Sequence, residues 1–584
     1  MTGIFAAIGK SNCKELVLNG LEAQGSRENE ISAIAIKSEG VFSYMQYEAG
    51  PAELKKNAML AEGDGNTAIA VCKNIMRRGD SAISADSACC IAAAGELLIL
   101  DELKERFSKS NIHSACDMLL TIAKVVSSDS KAEMQRRAFS LLENSISYIY
   151  IPKGEEAVYC HRGEQPLWIG ISETHMFLSG NASALGGIAE KCVYLKEGES
   201  AKLTAEKAYV FDSKLKRIKK NVLPAFESKA LSEERELSSD SILFPVTVRE
   251  TVKRFTNGGK LNFSLFNLSK RTIEKTERII FTAPPSCFGA AMLGAYNLKM
   301  LCDIPSAFFE AGELRYSKEV FKKDTLLITL SDGYDDTDAL ACVKRAKSFG
   351  AKTLAVTPAS ASALAAESDI VINPDPDGKS LNNSVLSFLV LHLTLCFLSL
   401  HIGYKNEIVS ELYLGVTIKL CEMLSGKTAV ALKGDEETEL LSRKLLNCDN
   451  IFVTGLDCDF ALSHQGAKII QDTARVNASP VSLFTLFNTE KSIIKNSVII
   501  AFITSKELLN NAVIMLRRLE VLGADITVIC DSNTAQELEG FGNVISFSDS
   551  IPLFNSDIAA ASLYASALKA REIINEESEK QAIS

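Results

Sequence analysis

The chain has 584 residues, of which 47% are hydrophobic and 23% are charged, a composition typical of a globular protein and not of a disordered one. This length predicts roughly three or four domains. The formal net charge is −10, with acidic and basic residues interspersed, so no basic stripe is available and nucleic-acid partners are excluded.

The cysteines and the N-terminus indicate which kinds of site and which cellular compartment to expect. The fifteen cysteines are scattered, without a CxxC pair or a His-rich spacing. We therefore predict no metal site, no cofactor and no disulfide framework, and a reducing cytoplasmic location. The segment Met1–Phe5 lacks the basic start and the long apolar run of a signal peptide.

The first part of the chain has strand-like runs separated by turns and two or three helical segments. Examples are Ile31–Ile36, Tyr148–Ile151 and Leu167–Ile171. This pattern favours an α+β layered domain that ends near the polar stretch Glu227–Ser241. We place this domain at residues 1–230 and a linker at residues 231–260.

The second part contains an internal repeat. Four apolar runs recur in the same order, offset by 172 to 174 positions; the pairs are Arg278–Ala283 with Asn450–Gly455, Thr325–Leu330 with Ser497–Phe502, Phe349–Val356 with Leu522–Ile529, and Asp369–Ile372 with Asn543–Ser546. Short continuous runs of this kind are typical of strands buried on both faces of a parallel sheet. Helical segments lie between them, so we predict two doubly wound domains, at 261–425 and 426–584.

One segment, Val385–Leu400, is apolar enough to imitate a membrane span. It is short, contains His392 and Thr394, and lacks flanking charged anchors. We interpret it as a buried helix and predict no membrane partner.

Several motifs point to a known family. The opening Gly3-Ile4, with Gly20-Leu21-Glu22 and Arg27 at their spacing, resembles a class II glutamine amidotransferase domain. The repeated half resembles two sugar-isomerase (SIS) domains, and Glu313–Tyr316 matches a family Glu-Phe-Arg-Tyr motif. Together these resemble the glucosamine-6-phosphate synthase family, which couples glutamine hydrolysis to isomerisation and amination of fructose 6-phosphate. The resemblance implies an N-terminal four-layer Ntn-type domain, two SIS domains, a sugar-derivative ligand and a homodimer.

The glutaminase positions implied by the resemblance are mostly changed. The family nucleophile is an N-terminal Cys whose amine acts as base; Thr2 stands there, and a threonine can serve in this chemistry. The family Arg-Trp pair aligns with Lys73-Asn74 and the oxyanion Asn-Gly with Ala94-Gly95, and the Asp that holds the substrate amine aligns near Ala115. The glutamine-pocket positions that we single out are Arg27, Lys73 and Gly95.

The isomerase positions implied by the resemblance are changed too. The family Glu that moves the proton aligns with Asp472, which keeps a carboxylate on a shorter side chain. The family His aligns with Asn488, which cannot titrate. Lys580 lies one place from the imine-forming lysine, among acidic residues that raise the pKa of an amine.

The family loop that surrounds the sugar phosphate reads Ser-Gln-Ser-Gly-Glu-Thr. Here Ser331 is retained, but the second serine is Gly333 and the threonine is Asp336. Asp332 and Asp336 add negative charge where a phosphate would lie; alternatively, they cap the following helix themselves. The sugar-binding candidates are Ser286, Ser331, Thr337 and Asn488.

Three hypotheses remain open. The chain is a non-catalytic scaffold with a binding or regulatory role and an unknown protein partner, or an active aminotransferase that uses Thr2, or a SIS protein acting on a less anionic sugar derivative. Release of ammonia from glutamine would favour the second, and an intact synthase in the same genome would favour the first.

Overall fold

The computed structural model of the chain forms two compact units, Met1–Ser232 with Ala361–Ala366, and Glu233–Ser360 with Glu367–Ser584. The residues that it describes are 3–10, 12–24, 30–60, 63–74, 81–86, 88–95, 112–125, 146–224, 237–317, 320–333, 336–359, 362–376, 378, 380, 383–448, 450–538, 540–548 and 550–583.

The first unit contains two antiparallel sheets. Their strands are β1 (Gly3–Gly9), β2 (Glu30–Ser38), β3 (Val41–Tyr47), β4 (Thr67–Asn74), β5 (Ile83–Ala85), β6 (Cys89–Ala94), β7 (Ser147–Pro152), β8 (Val158–His161), β9 (Trp168–Ile171), β10 (His175–Ser179), β11 (Lys191–Tyr194), β12 (Ser200–Leu203), β13 (Ala208–Phe211), β14 (Arg217–Ile218) and β15 (Leu223–Pro224). One sheet has the order β15-β11-β9-β10-β1-β4-β2-β3, and the other has the order β14-β13-β12-β8-β7-β6-β5.

The two sheets pack face to face. Alternate residues of β1, such as Ile4 and Ala6, share a core with alternate residues of β6, such as Cys90 and Ala92, as the period of two in a strand requires. The helices in the described part of this unit's N-terminal segment are α1 (Cys13–Glu22), α2 (Pro51–Leu60) and α3 (Ala115–Val125). Helix α1 packs on β1 and β4, whereas α3 packs on the outer face of β6. The prediction of a layered Ntn-type domain is confirmed.

The second unit contains the repeat as two five-stranded parallel sheets. The strands are β16 (Thr256–Asn257), β17 (Lys260–Leu261), β18 (Arg278–Ala283), β19 (Ser306–Glu310), β20 (Thr325–Leu330), β21 (Lys352–Val356), β22 (Ile370–Ile372), β23 (Ile451–Thr454), β24 (Ser479–Pro480), β25 (Val498–Ile503), β26 (Asp525–Asp531) and β27 (Asn543–Phe547). The two orders are β19-β18-β20-β21-β22 and β24-β23-β25-β26-β27, which match strand for strand, while β16 and β17 form a short hairpin. The prediction of a doubly wound fold built twice is confirmed.

Helices cover both faces of these sheets. Along the chain, the helices that the structure describes from residue 237 onward are α4 (Leu237–Phe255), α5 (Lys270–Glu274), α6 (Phe288–Cys302), α7 (Ala311–Leu314), α8 (Thr337–Ser348), α9 (Ala363–Glu367), α10 (Ser384–Lys405), α11 (Glu411–Cys421), α12 (Leu424–Ala431), α13 (Glu436–Leu446), α14 (Cys458–Ile469), α15 (Leu483–Phe487), α16 (Lys491–Ile494), α17 (Leu509–Val521), α18 (Ser532–Gln536) and α19 (Asn555–Ile583). All of α9 except its last residue belongs to the first unit. Helix α4 lies within the segment predicted as a linker, and it buries Phe244, Val248 and Phe255 in the core of the second unit.

Helix α10 contains the segment predicted as a buried helix. It is long and apolar enough to cross a membrane, with a mean hydropathy of 2.2 over its best window, and that whole window is buried inside the fold. Its Phe397 ring centre lies 5.9 Å from that of Phe554, which comes from the other half of the repeat. One core therefore includes residues of both halves.

A buried polar pair also joins the two halves. His392 Nδ1 of α10 lies 2.9 Å from Asp557 Oδ1 of α19, and both side chains are buried to within 1% of full burial. Burial alone lowers the pKa of the imidazole, but the Asp557 carboxylate and the Cys396 sulfur outweigh burial, so the pKa of His392 is raised well above its ordinary value. The raised pKa favours the protonated imidazole, which forms an ion pair with the Asp557 carboxylate.

Candidate functional site

The carboxyl ends of β18 and β20 bring two predicted sugar-binding residues to one edge of the first parallel sheet. The strands are neighbours, Ser286 follows β18 in a single 3₁₀ turn, and Ser331 directly follows β20. Ligands of open α/β sheets bind outside this edge. The buried Ser331 donates its N–H to Val356 O (3.1 Å), and its Oγ accepts from Gly333 N (3.1 Å).

Asp336 occupies the N-cap of α8, and Thr337 is the first residue of that helix. Asp336 Oδ1 accepts from Ala339 N at 2.7 Å, as the capping alternative predicts. Burial raises the pKa of the Asp336 carboxyl, and the carboxylates of Asp338 and Asp332 add to the rise. The helix N-terminus therefore has its negative group supplied by the chain itself.

A buried thiol completes this edge. Cys287 is fully buried at the start of α6, and its Sγ lies 3.7 Å from Ser286 Oγ. Burial raises the pKa of the thiol well above its ordinary value, and the Asp332 carboxylate raises it further. Cys287 could not be singled out from the sequence, because a single cysteine after a strand carries no motif.

The corresponding edge of the second sheet is closed by a carboxylate. Thr504 follows β25 as Ser331 follows β20, and its N–H lies 3.2 Å and 3.1 Å from the two carboxylate oxygens of Asp459. Thr504 Oγ1 donates to Asp459 Oδ1 at 2.5 Å, and Asn555 Nδ2 donates to Thr504 O at 3.0 Å. Burial raises the pKa of Asp459 to about 7. This cluster too was missed from the sequence, because its members are far apart along the chain.

The structure does not gather the remaining isomerase positions into one hydrogen-bonded group. Asp472 lies in a π-helical turn after α14, and its carboxylate is paired with Lys468 Nζ at 2.7 Å. Asn488 is exposed, and its amide donates to Phe484 O at 2.8 Å. Each therefore bonds to a neighbour four residues earlier. Lys580 belongs to α19, and its side chain lies outside the described residues.

Two of the glutaminase positions, Thr2 and Arg27, lie outside the described residues. Lys73 is half-buried near the end of β4 and directly follows Cys72, which pairs with Gly3 of β1. Gly95 follows β6 with a φ of 103°, a conformation that favours glycine. The methyl group of the preceding Ala94 offers no hydrogen-bond donor.

Helix α3 begins next to the position that aligns near the family Asp, and its N-terminus has a reciprocal cap. Ser114 and Asp117 bond reciprocally: Ser114 N donates to Asp117 Oδ2 (3.0 Å), and Asp117 N donates to Ser114 Oγ (3.2 Å). Ser84 Oγ also donates to Asp117 Oδ1 at 2.5 Å. Asp117 is thus engaged in positioning α3, and the aligned position, Ala115, has no polar side chain.

The described residues include no group of three or more His, Cys, Asp or Glu side chains placed to hold a metal ion. His464, for comparison, packs its ring 5.6 Å from that of Phe288 and 5.1 Å from that of Phe460, and burial lowers its pKa. Its surroundings are apolar, and it has a packing role.

Comparisons with known proteins agree with this architecture. The SIS domain family matches residues 272–400. Glutamine–fructose-6-phosphate aminotransferase (isomerizing) of Clostridium tetani is 22% identical over 398 residues, 66% of this chain and 65% of that protein, and the Clostridium acetobutylicum enzyme is 23% identical over 67% of this chain and 65% of its own length.

A solved structure supports the fold of the second unit. The C-terminal domain of glucosamine-fructose-6-phosphate aminotransferase from Francisella tularensis aligns with a TM-score of 0.53 at 17% identity, covering 58% of this chain and 98% of that domain. The matched regions span slightly less than two thirds of the length of the two clostridial enzymes. The aminotransferase activity in their names is therefore stated of those enzymes alone. The resemblance is confirmed: the chain is a relative of the glutamine–fructose-6-phosphate aminotransferases and contains a SIS domain at residues 272–400.

Proposed function

We propose that the chain binds a sugar derivative without a phosphate group at the carboxyl edge of its first SIS sheet, and that it acts by binding or regulation and not by amination of fructose 6-phosphate. The observation that carries this proposal is the position of Asp336, whose carboxylate caps the N-terminus of α8. In the family that the sequence resembles, this helix N-terminus faces the sugar phosphate.

Charge is the physical reason. Two unit charges about 4 Å apart repel by roughly 4 kcal/mol at an effective dielectric of 20, and a phosphate carries nearly two. Asp332 and Asp336 both raise the pKa of the Cys287 thiol. Their negative charge therefore reaches the edge of the sheet that holds Ser286 and Ser331. A neutral sugar can use hydroxyl and backbone groups there without this repulsion.

Isothermal titration near neutral pH with fructose 6-phosphate and with fructose tests the ligand class. We expect no micromolar affinity for fructose 6-phosphate. Micromolar binding that is lost in Ser331→Ala would defeat the proposal. The triple variant Asp332→Gln, Gly333→Ser, Asp336→Thr should gain phosphate affinity, because it removes two carboxylates and adds two hydroxyl donors.

The absence of glutaminase activity is the second part of the proposal. It is supported by Lys73 in place of a bidentate arginine, by Ala94 in place of an oxyanion donor, and by Ala115 in place of a carboxylate. Loss of one oxyanion donor typically costs about 2.7–4 kcal/mol in the transition state. Ammonia release should be at background with or without sugar phosphate. Turnover that disappears in Thr2→Ala would instead establish an active aminotransferase that uses Thr2.

The oligomeric state and the domain limits belong to the same proposal. Helix α11 exposes Leu412 and Val416, and Met423 and Val430 are exposed just beyond it. Apolar surface of this kind supports a homodimer. The proposed domain limits of each chain are 1–230, 231–260, 261–425 and 426–584. Light scattering at micromolar concentration should give twice the mass of the chain; a monomer would contradict the dimer.

A further inference from the structure

A buried arginine in the first unit has hydrogen-bond donors without acceptors. Arg162 directly follows β8 and is completely buried. Its Nη1 donates to Leu195 O. Its Nε and Nη2 make no hydrogen bond to any residue that the structure describes. A guanidinium cannot lose its proton at physiological pH, so the positive charge remains inside the fold.

The guanidinium is held between the two sheets by aromatic contacts. Arg162 Cζ lies 4.3 Å from the centre of the Tyr194 ring, and the ring centre of Trp168 lies 4.6 Å from the same point. Trp168 and Tyr194 are paired residues of β9 and β11, so the sheet register fixes this group. Trp168 is fully buried, and within the described part of the chain its Nε1 has no acceptor. Both orphaned side chains therefore flank one tyrosine.

The protein does not supply a countercharge in the described residues. Arg162 N donates to Glu199 O at 2.9 Å, but the carboxylate of Glu199 is bound by Lys220 Nζ (2.7 Å) and by Lys196 N (2.7 Å). No carboxylate of the described ranges forms an ion pair with Arg162. Buried charges in proteins are paired or bind ions, because removing an unpaired charge from water is strongly unfavourable.

We propose that Arg162 binds a small monovalent inorganic anion of halide size through Nε and Nη2, with Trp168 Nε1 as a further donor beside the same tyrosine. All the unused groups of Arg162 and Trp168 are donors, which suits an anion and offers nothing to a cation. One guanidinium neutralises one negative charge, and a dianion such as phosphate would leave a net charge in a completely buried place. This site lies in the first unit and is separate from the edge of the SIS sheets.

Crystals grown in sodium bromide give the direct test, because bromide scatters anomalously and water does not. The expected result is an anomalous peak at hydrogen-bonding distance from Arg162 Nε or Nη2. An ordered water alone at this position, in crystals that contain bromide, would overturn the proposal.

Thermal unfolding gives the solution test, with bromide replacing the strongly hydrated fluoride at constant ionic strength. A ligand that binds the folded state raises the unfolding temperature by mass action. The temperature should rise with bromide in the wild type and not in Arg162→Met. Arg217→Met is the matched control, since Arg217 also stacks on a tyrosine, 4.6 Å from the Tyr209 ring centre, but is exposed. It should keep the full bromide dependence.

If Arg162→Met does not fold, Trp168→Phe carries the test, because it removes the indole N–H and keeps an aromatic ring. A weaker bromide dependence in this variant supports the site. A bromide dependence equal to that of the wild type, in either variant, overturns it.

Discussion

The two parallel sheets of the second unit share a strand order, yet their carboxyl edges hold different groups. After the first strand of each half, position 287 is a buried cysteine, whereas the residue 172 positions later, Asp459, is a buried carboxylic acid. Asp459 binds both the main chain and the hydroxyl of Thr504. In the first half, Ser331 Oγ instead accepts from its own loop, at Gly333 N.

This difference shows that the repeated backbone restricts the residue types at the carboxyl edge much less than it restricts those within the strands. The strands must present apolar side chains on both faces, so both copies keep the same kind of residue. A position just beyond the strand has no such requirement. In the second half, the Asp459 carboxyl group binds Thr504 at the edge of the sheet. In the first half, a thiol occupies the equivalent position, and the polar groups at the edge are Ser286, Ser331 and the Asp336 cap of α8.

The largest expected effect comes from breaking the pair that joins the halves. His392→Ala leaves Asp557 buried without its partner and should lower the free energy of unfolding by about 3–5 kcal/mol. Urea unfolding followed by fluorescence and circular dichroism measures it, and both halves should lose stability together. His401→Ala is the matched control, since His401 is buried on the same helix but, among the described residues, its hydrogen bond is to a main-chain oxygen, Leu268 O. Equal losses in the two variants would show that the ion pair is not the cause.

The second effect separates the two edges directly. Asp459→Ala leaves the N–H and the hydroxyl of Thr504 buried without an acceptor, and should cost about 2–3 kcal/mol at pH 5. The equivalent change in the first half, Cys287→Ala, removes one heavy atom and should cost about 1 kcal/mol. Denaturant midpoints measured in parallel decide the comparison, and a costlier Cys287→Ala would reverse it.

The pH dependence of the second edge follows from Asp459. Burial raises its pKa from 3.8 to about 7, so its stabilising contribution is complete below about pH 4 and is lost as the pH rises through 7. The wild type should therefore lose stability relative to Asp459→Asn between about pH 4 and pH 7. Free energies of unfolding measured over this range for both proteins test the sign. Parallel curves would mean that Asp459 does not titrate there.

A smaller effect distinguishes the helices that follow β20 and β25, the equivalent strands of the two halves. Helix α8 begins at the Asp336 cap, whereas α17 begins after Leu508, which has no side-chain cap. Asp336→Ala should cost about 1 kcal/mol, and Asp336→Thr should recover most of it. Chemical denaturation at neutral pH provides the measurement. If the two variants were equally stable, the capping role of Asp336 would be refuted.

The smallest effect is expected at the position that the resemblance implies for proton transfer. Asp472 forms a surface pair with Lys468, so Asp472→Ala should change the free energy of unfolding by only about 0.3–0.5 kcal/mol. Raising the salt concentration should remove the difference. A loss above about 1 kcal/mol would indicate that Asp472 has contacts beyond this pair.

The strands of the repeat and the buried helix could be read from the sequence because each depends on local composition. Residues Val385–Leu400 lie inside α10, and the four paired runs lie on β18, β20, β21 and β22 and on their counterparts. The capping of α8 by Asp336 was one of two alternatives, since an aspartate before a helix either caps it or leaves its charge at the edge of the sheet.

The polar pairs of the core could not be read in this way. His392 and Asp557 are 165 residues apart, and Asp459 and Thr504 are 45 apart, so only the tertiary fold shows that they meet. Arg162 is an even clearer case. Charged residues are almost never fully buried, and no sequence pattern distinguishes this arginine from one at the surface.

Helix α10 has a consequence for the order in which the protein is made. His392 leaves the ribosome 165 residues before Asp557, and Phe397 leaves it well before Phe554. At a synthesis rate of about 5–20 residues per second, roughly 10–30 s pass between the appearance of this apolar helix and that of the C-terminal residues that cover it. During that interval a helix with the hydropathy of a membrane span is incompletely covered on the nascent chain, and this is the stage at which a chaperone would recognise it.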